Sequence, residues 1–118
     1  MPPLFLFIIA FACEKATQPQ QPPSVLQISG FVTDKQTGNP LDSVSVSLNH
    51  NTGSIGSPSI PQMTLFTGID GKFNFQFSSK DNYSYSVFFD KTGAGYKWIS
   101  KSIDRNKEHQ EFNVTLEK

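Results

Sequence analysis

From Leu26 to Lys118 the chain alternates apolar and polar residues with a period of two, the pattern of strands that bury one face. Ile28, Gly30 and Val32 alternate with Ser29, Phe31 and Thr33. Val44, Val46 and Leu48 alternate with Ser43, Ser45 and Ser47, so one face is apolar and the other carries hydroxyls. Phe73, Phe75 and Phe77 stand opposite Lys72, Asn74 and Gln76. Tyr83, Tyr85, Val87 and Phe89 line a further strand, and Phe112, Val114 and Leu116 alternate with Glu111, Asn113 and Thr115. Residues 63–67 and 97–103 supply two shorter segments, the second expected at a sheet edge.

Turn-forming residues separate these segments. Asp34-Lys35-Gln36-Thr37-Gly38-Asn39-Pro40 is the first connection, and residues 49–61, dense in Gly, Ser and Pro, read as a long loop. Asp70-Gly71 signals a tight hairpin, because Gly tolerates the positive φ such turns require. Lys80-Asp81-Asn82 and Thr92-Gly93-Ala94-Gly95 break the chain again. About seven short strands so punctuated predict an all-β fold, a seven-stranded antiparallel β-sandwich over residues 26–118.

The first 25 residues follow a different pattern. Residues 4–12 are an unbroken apolar run, Leu-Phe-Leu-Phe-Ile-Ile-Ala-Phe-Ala. Crossing a bilayer takes about 20 residues, so the run fits the apolar region of a secretory signal rather than a spanning helix. Ala10-Phe11-Ala12-Cys13 resembles the lipobox of bacterial lipoproteins, in which the cysteine is acylated and becomes the mature N-terminus. Cys13 is the only cysteine, so it has no partner for an intrachain disulfide. Acylation would cap its thiol and supply an anchor, each buried methylene contributing about 0.8 kcal/mol. The following stretch, rich in Gln and Pro, cannot build a core and reads as a semi-rigid tether. The expected organisation is therefore a signal peptide over 1–12, a lipidated tether over 13–25 and one domain over 26–118. The expected location is the outer membrane, on its periplasmic or cell-surface face.

Composition narrows the function classes. Lys plus Arg and Asp plus Glu are ten each, giving a net charge of zero. Nucleic-acid binding needs a basic face, so no nucleic-acid partner is expected. Eight of the 11 phenylalanines fall in the domain (Phe31, Phe66, Phe73, Phe75, Phe77, Phe88, Phe89 and Phe112), which suits a small core with much buried area per residue. No Ser/His/Asp spacing, nucleophile elbow or His-Glu-x-x-His run appears, so no catalytic residue, cofactor or metal is expected. Asp70-Gly71 lacks the flanking carboxylates of a calcium loop. The two histidines, His50 and His109, read as solvent-exposed loop residues. Phe31 and Phe88 fall out of phase with the core faces of their strands, and Tyr96 and Trp98 lie beside a Gly-rich turn. Phe31, Tyr96 and Trp98 are therefore the candidate ligand-binding residues, with surface aromatics at a sandwich edge as the plainer reading.

Taken in order, Ile28-Ser29-Gly30-Phe31-Val32-Thr33-Asp34, then Thr37-Gly38-Asn39-Pro40-Leu41, then Val44-Ser45-Val46 resembles the start of carboxypeptidase regulatory-like domains, also described as transthyretin-like or prealbumin-like. The run from Thr67 through Asp70-Gly71-Lys72 to Phe75 resembles the central hairpin of that family, Gly95-Tyr96 its glycine-tyrosine segment, and Asn113-Val114-Thr115-Leu116 its closing strand. The resemblance spans roughly residues 26–117. It implies a prealbumin/Ig-like sandwich without catalytic residues, used as an accessory module on envelope and cell-surface proteins. The related hydrolases use His and Arg side chains and a Tyr-Arg-Gly-Ser terminus; this chain has Arg105 and His109 but ends Thr115-Leu116-Glu117-Lys118. The leading expectation is a non-catalytic envelope lipoprotein acting as an interaction or structural module, its partners the membrane through the anchor and an envelope protein or glycan. The alternative is a carbohydrate-binding surface lipoprotein that uses its exposed aromatics.

Overall fold

A computed structural model describes residues 24–52, 56, 58–80 and 82–118. The expected signal peptide, Cys13 and the tether up to residue 23 lie outside the described residues. The strands are β1 (Val25–Asp34), β2 (Ser45–Asn51), β3 (Ile60–Phe66), β4 (Lys72–Ser78), β5 (Ser84–Asp90), β6 (Ile99–Ser102) and β7 (His109–Leu116), with a short 3-10 turn at Thr92–Ala94. They form two sheets, one ordered β4-β1-β7 and the other β3-β2-β5-β6. The fold is the seven-stranded sandwich that the alternation predicts.

The core lies between the sheets and is built from the apolar faces read in the sequence. Leu26, Ile28 and Val32 of β1 are buried with Val46 and Leu48 of β2, Val87 and Phe89 of β5, and Val114 and Leu116 of β7. Aromatic rings bridge the two layers: Phe73 meets Phe89 edge-on at 5.4 Å, and Phe77 meets Tyr85 at 4.8 Å. Such tilted and edge-on pairs contribute beyond the area they bury. Only part of the phenylalanine set is core, however. Phe73, Phe75, Phe77 and Phe89 are buried and Phe112 packs partly against them, whereas Phe31 and Phe66 are exposed. The cause is strand phase, since each of the two exposed rings follows or precedes an inward residue by one position.

Three local readings change. The sandwich is not wholly antiparallel: β1 and β7 pair in parallel, from Gln27 opposite His109 to Asp34 opposite Leu116. A parallel pair needs a long crossover, which the five intervening strands supply. Alternation is blind to this, because it reports which face a residue occupies and not the direction of its neighbour. Second, Asp70-Gly71 makes a tight turn but no hairpin, since β3 and β4 belong to different sheets. Asp70 Oδ1 accepts from the Lys72 N–H at 3.0 Å, and Gly71 adopts φ 75°. The Val32 N–H donates to the Gly71 carbonyl at 2.9 Å, so the turn docks on β1 and carries the chain across the sandwich. Third, the 49–61 loop is shorter than expected. β2 continues to Asn51 past a register shift at Leu48/Asn49, and Pro61 pairs opposite Asn49. Pro61 has no N–H to donate, which is tolerated because β3 is an edge strand.

Thr67, at the end of the β3 reading, is buried and polar. Its hydroxyl donates to the Leu41 carbonyl at 2.7 Å and accepts from the Val44 N–H at 3.0 Å. These bonds satisfy backbone groups beside Ser43, which takes the left-handed φ of 55°.

Candidate functional site

The structure places the three aromatic candidates in three settings. Phe31 projects from the outer face of the three-stranded sheet, opposite Lys72 on β4 and Asn113 on β7, and is 38% exposed. It borders a shallow groove with Ser29, Lys72, Asn74 and Glu111, a polar surface with both charges. Trp98 lies just before β6 in the other sheet, is 57% exposed, and rests beside Phe88 with ring centroids 5.6 Å apart. Phe31 and Trp98 thus stand on different sheets, and no single flat patch joins them.

Tyr96 is buried and turned inward. Its hydroxyl donates to Asp34 Oδ2 at 2.5 Å, and the Lys118 ammonium lies 5.1 Å from its ring centre. The other Asp34 oxygen accepts from the Gln36 and Thr37 N–H groups at 2.7 and 3.0 Å. The following Lys97 N–H donates to the Glu117 carbonyl at 2.8 Å. Tyr96 therefore clamps the 92–98 segment onto the ends of β1 and β7. Its ring and hydroxyl are engaged within the protein rather than open to a ligand. The Asp34 turn is legible in the sequence, since an Asp side chain readily accepts from the backbone two residues on, as it does here from Gln36. Its tyrosine partner, 62 residues away, is not.

This clamp has a pH signature. The Tyr96 hydrogen bond, followed by the Thr37 N–H, holds the Asp34 carboxyl below its ordinary value of 3.8. The same bond raises the Tyr96 phenol above its ordinary value of 10.0. A lowered carboxylate stabilises the fold above its unfolded value, and that contribution disappears as pH falls through the folded value. A raised phenol stabilises the fold below its unfolded value, and that contribution disappears as pH rises through the folded one. Tyr96→Phe is expected to lower the melting temperature at neutral pH and to flatten both the acid and the alkaline arm of its pH profile. Parallel melting curves across about pH 2–11 check this; identical profiles for the two proteins would refute the clamp.

The remaining polar candidates, Arg105, His109 and His50, lie apart from the aromatic ones. Arg105 Nη1 donates to the Tyr83 carbonyl at 2.8 Å. His109 opens β7 opposite Gln27 and is exposed, as expected, although in a strand rather than a loop. His50 departs from expectation: it sits in β2, half-buried, with its ring 4.7 Å from that of Tyr83 and a buried Nδ1 that has no hydrogen-bond partner. Among the described residues no group of three or more His, Cys, Asp or Glu side chains is placed to hold a metal.

The arrangement that position-by-position reading missed is the outer face of the four-stranded sheet. One row across it runs Thr64, Ser47, Phe88, Ser100 from β3 to β6. The rows on either side contribute Phe66, Ser45 and Asp90, and Ser86 with Ser102. Ser47 Oγ donates to Asn49 Oδ1 at 3.0 Å and lies 3.3 Å from the Thr64 hydroxyl. The alternation of Ser43, Ser45 and Ser47 signals a hydroxyl face on β2. Only the strand order extends it across the sheet.

No family model matches the chain, and no curated protein matches it. Solved structures do. A 9R-lipoxygenase from Cyanothece PCC8801 aligns over 93% of this chain and 20% of its own, at 16% identity and a TM-score of 0.53. A 3-chlorocatechol 1,2-dioxygenase from Rhodococcus opacus 1CP aligns over 86% of this chain and 62% of its own, at 12% identity and a TM-score of 0.56. The C-terminal domain of the shaft pilin spaA from Lactobacillus rhamnosus GG aligns over 79% of this chain and 98% of its own, at 10% identity and a TM-score of 0.51. The chain spans a fifth of the lipoxygenase and under two thirds of the dioxygenase. These likenesses concern the fold and agree with an immunoglobulin- or prealbumin-like β-sandwich.

Proposed function

We propose that this chain is an exported lipoprotein of the bacterial envelope, anchored through Cys13, whose sandwich is a carboxypeptidase regulatory-like module working as a non-catalytic interaction or structural unit. The observation that carries this reading is the pairing of a lipobox-like N-terminus and Pro/Gln tether with a domain in which several charged side chains are committed to its own backbone. Arg105, Asp34 and Asp70 each serve a turn or a strand end. The match to nearly the whole of a shaft pilin domain supports use of this fold as a building and contact element. The rigid sheets then present their outer faces to a partner held at a distance from the membrane by the tether.

Cell fractionation of the wild type and Cys13→Ala tests the anchor. The wild type is expected in the membrane fraction and the variant in the soluble fraction. A variant that stays membrane-bound would refute the lipid anchor. Protease added to intact cells then separates the two faces: digestion of the wild type places it on the surface, and protection places it in the periplasm.

A further inference from the structure

The outer face of the four-stranded sheet is unusual for the kind of polar group it carries. Its uncharged polar positions are hydroxyls and amides, among them Ser45, Ser47, Thr64, Ser86, Ser100 and Asn49, by their register and their alternation with buried neighbours. Asp90 is the charged residue in these rows, and its Oδ1 already accepts from the Thr92 N–H at 2.8 Å. Lys101 pairs opposite buried Val87 and so belongs to the other side of the sheet. By contrast, the outer face that carries Phe31 also carries Lys72 and Glu111. Two exposed aromatics flank the hydroxyl field: Phe66 of the edge strand β3, 65% exposed, and Trp98 beside β6, 57% exposed and propped by Phe88 at an interplanar angle of 44°. Phe88 is itself held in the central row between Ser47 and Ser100.

Each class of partner can be weighed by what it would meet there. An anionic ligand would find no opposing charge across these rows, and a cationic one only Asp90, at the margin and already bonded to the Thr92 N–H. An apolar partner would strip water from a row of hydroxyls and leave them unpaired, which costs free energy for each one. Protein interfaces are enriched in aromatics, which this face has in Phe66 and Trp98, but they are depleted in Ser, which recurs through its rows. A neutral sugar polymer meets both features. The C–H face of a ring packs on an aromatic face, and its hydroxyls both donate and accept, as do Ser and Thr. Four strands at the usual spacing span roughly 14 Å, room for more than one sugar unit beside Trp98.

We propose that this face binds a neutral polysaccharide, with Trp98 as the stacking platform, Phe88 as its support, and Ser47, Ser100 and Thr64 as hydroxyl contacts. This rests on the interaction-module reading and names the partner class for it.

The test is native affinity electrophoresis of the full-length chain in detergent, in gels containing laminarin, galactomannan, xylan or hydroxyethyl cellulose, with polygalacturonate as the charged comparison. At least one neutral polymer is expected to retard the wild type. Trp98→Ala should weaken that retardation at least about tenfold with an unchanged melting temperature, Trp98→Tyr should keep part of it, and Phe31→Ala should keep it all. The assignment is overturned if no neutral polymer retards the wild type, if only polygalacturonate does, or if Trp98→Ala is retarded as strongly as the wild type. Cross-linking in intact cells separates this failure from that of the broader reading. Cross-links from the wild type to an envelope protein, with no retardation by sugars, would refute the glycan and leave an interaction module; neither signal would refute both.

Discussion

Gly30→Ala is expected to be among the most damaging single substitutions in the domain, lowering stability by about 3 kcal/mol or more. Gly30 sits inside β1 opposite Phe112 of β7 with φ 153°, a backbone state that side-chain-bearing residues rarely adopt. A Cβ built there would lie 1.9 Å from the Phe112 carbonyl oxygen and 2.6 Å from its carbonyl carbon. The obstacle is backbone, so no rotamer change relieves it. β1 and β7 would have to separate, which breaks their parallel ladder and withdraws Phe112 from the core it packs against. Folded domains are stable by about 5–15 kcal/mol in total, so the loss removes a large share of the stability. Denaturant titration measures the loss. Gly93→Ala is the control, because a Cβ there meets nothing within 4 Å, and it should stay within about 0.5 kcal/mol of the wild type. A Gly30→Ala midpoint equal to the control's would show that the two strands do not approach as described.

The second large effect is expected from Phe89→Ala, a loss of about 3–5 kcal/mol. Phe89 is fully buried, at 0% exposure, between the two sheets. Its neighbours explain the magnitude. It pairs with Val46 on one side and Ile99 on the other within its sheet, and meets Phe73 of the opposite sheet edge-on at 5.4 Å. Removing the ring leaves a cavity lined from both layers, and strands fixed by their ladders cannot collapse into it. Phe88→Ala, one residue away on the outer face, should cost far less, because that ring is only half-buried. The contrast between adjacent positions is the useful measurement. Equal losses at both would mean that the face assignment of β5 is wrong.

The same distinction separates what could be read in the chain from what could not. Alternation assigned Val44, Val46 and Leu48, and likewise Phe73, Phe75 and Phe77, to faces that are indeed buried. It also separated Phe31 and Phe88 from their buried neighbours. Asp34, Gly38 and Pro40 signalled a turn, and Gly38 does adopt φ 76° there. The candidate site was legible only in part. Trp98 is exposed as expected, but Tyr96 is spent on Asp34 and Phe31 belongs to the other sheet. The hydroxyl face beside Trp98 emerges when β3, β2, β5 and β6 are laid side by side.

The order of residues along the chain was enough for the class of fold, the number of strands, the core-facing side of β1, β2, β4, β5 and β7 and the positions of most turns. All of these are local properties: a residue's face follows from its parity along the strand, and a turn from the dihedral preferences of a few neighbours. Tertiary structure alone decided that β1 runs parallel to β7, that the Asp70-Gly71 turn crosses between sheets, that Gly30 has no room for a side chain, and that Tyr96 finds Asp34. Each of these depends on segments distant in sequence. They meet only because burying two apolar faces against each other selects one arrangement of strands, and the pattern along a single strand carries no record of which partner lies beside it.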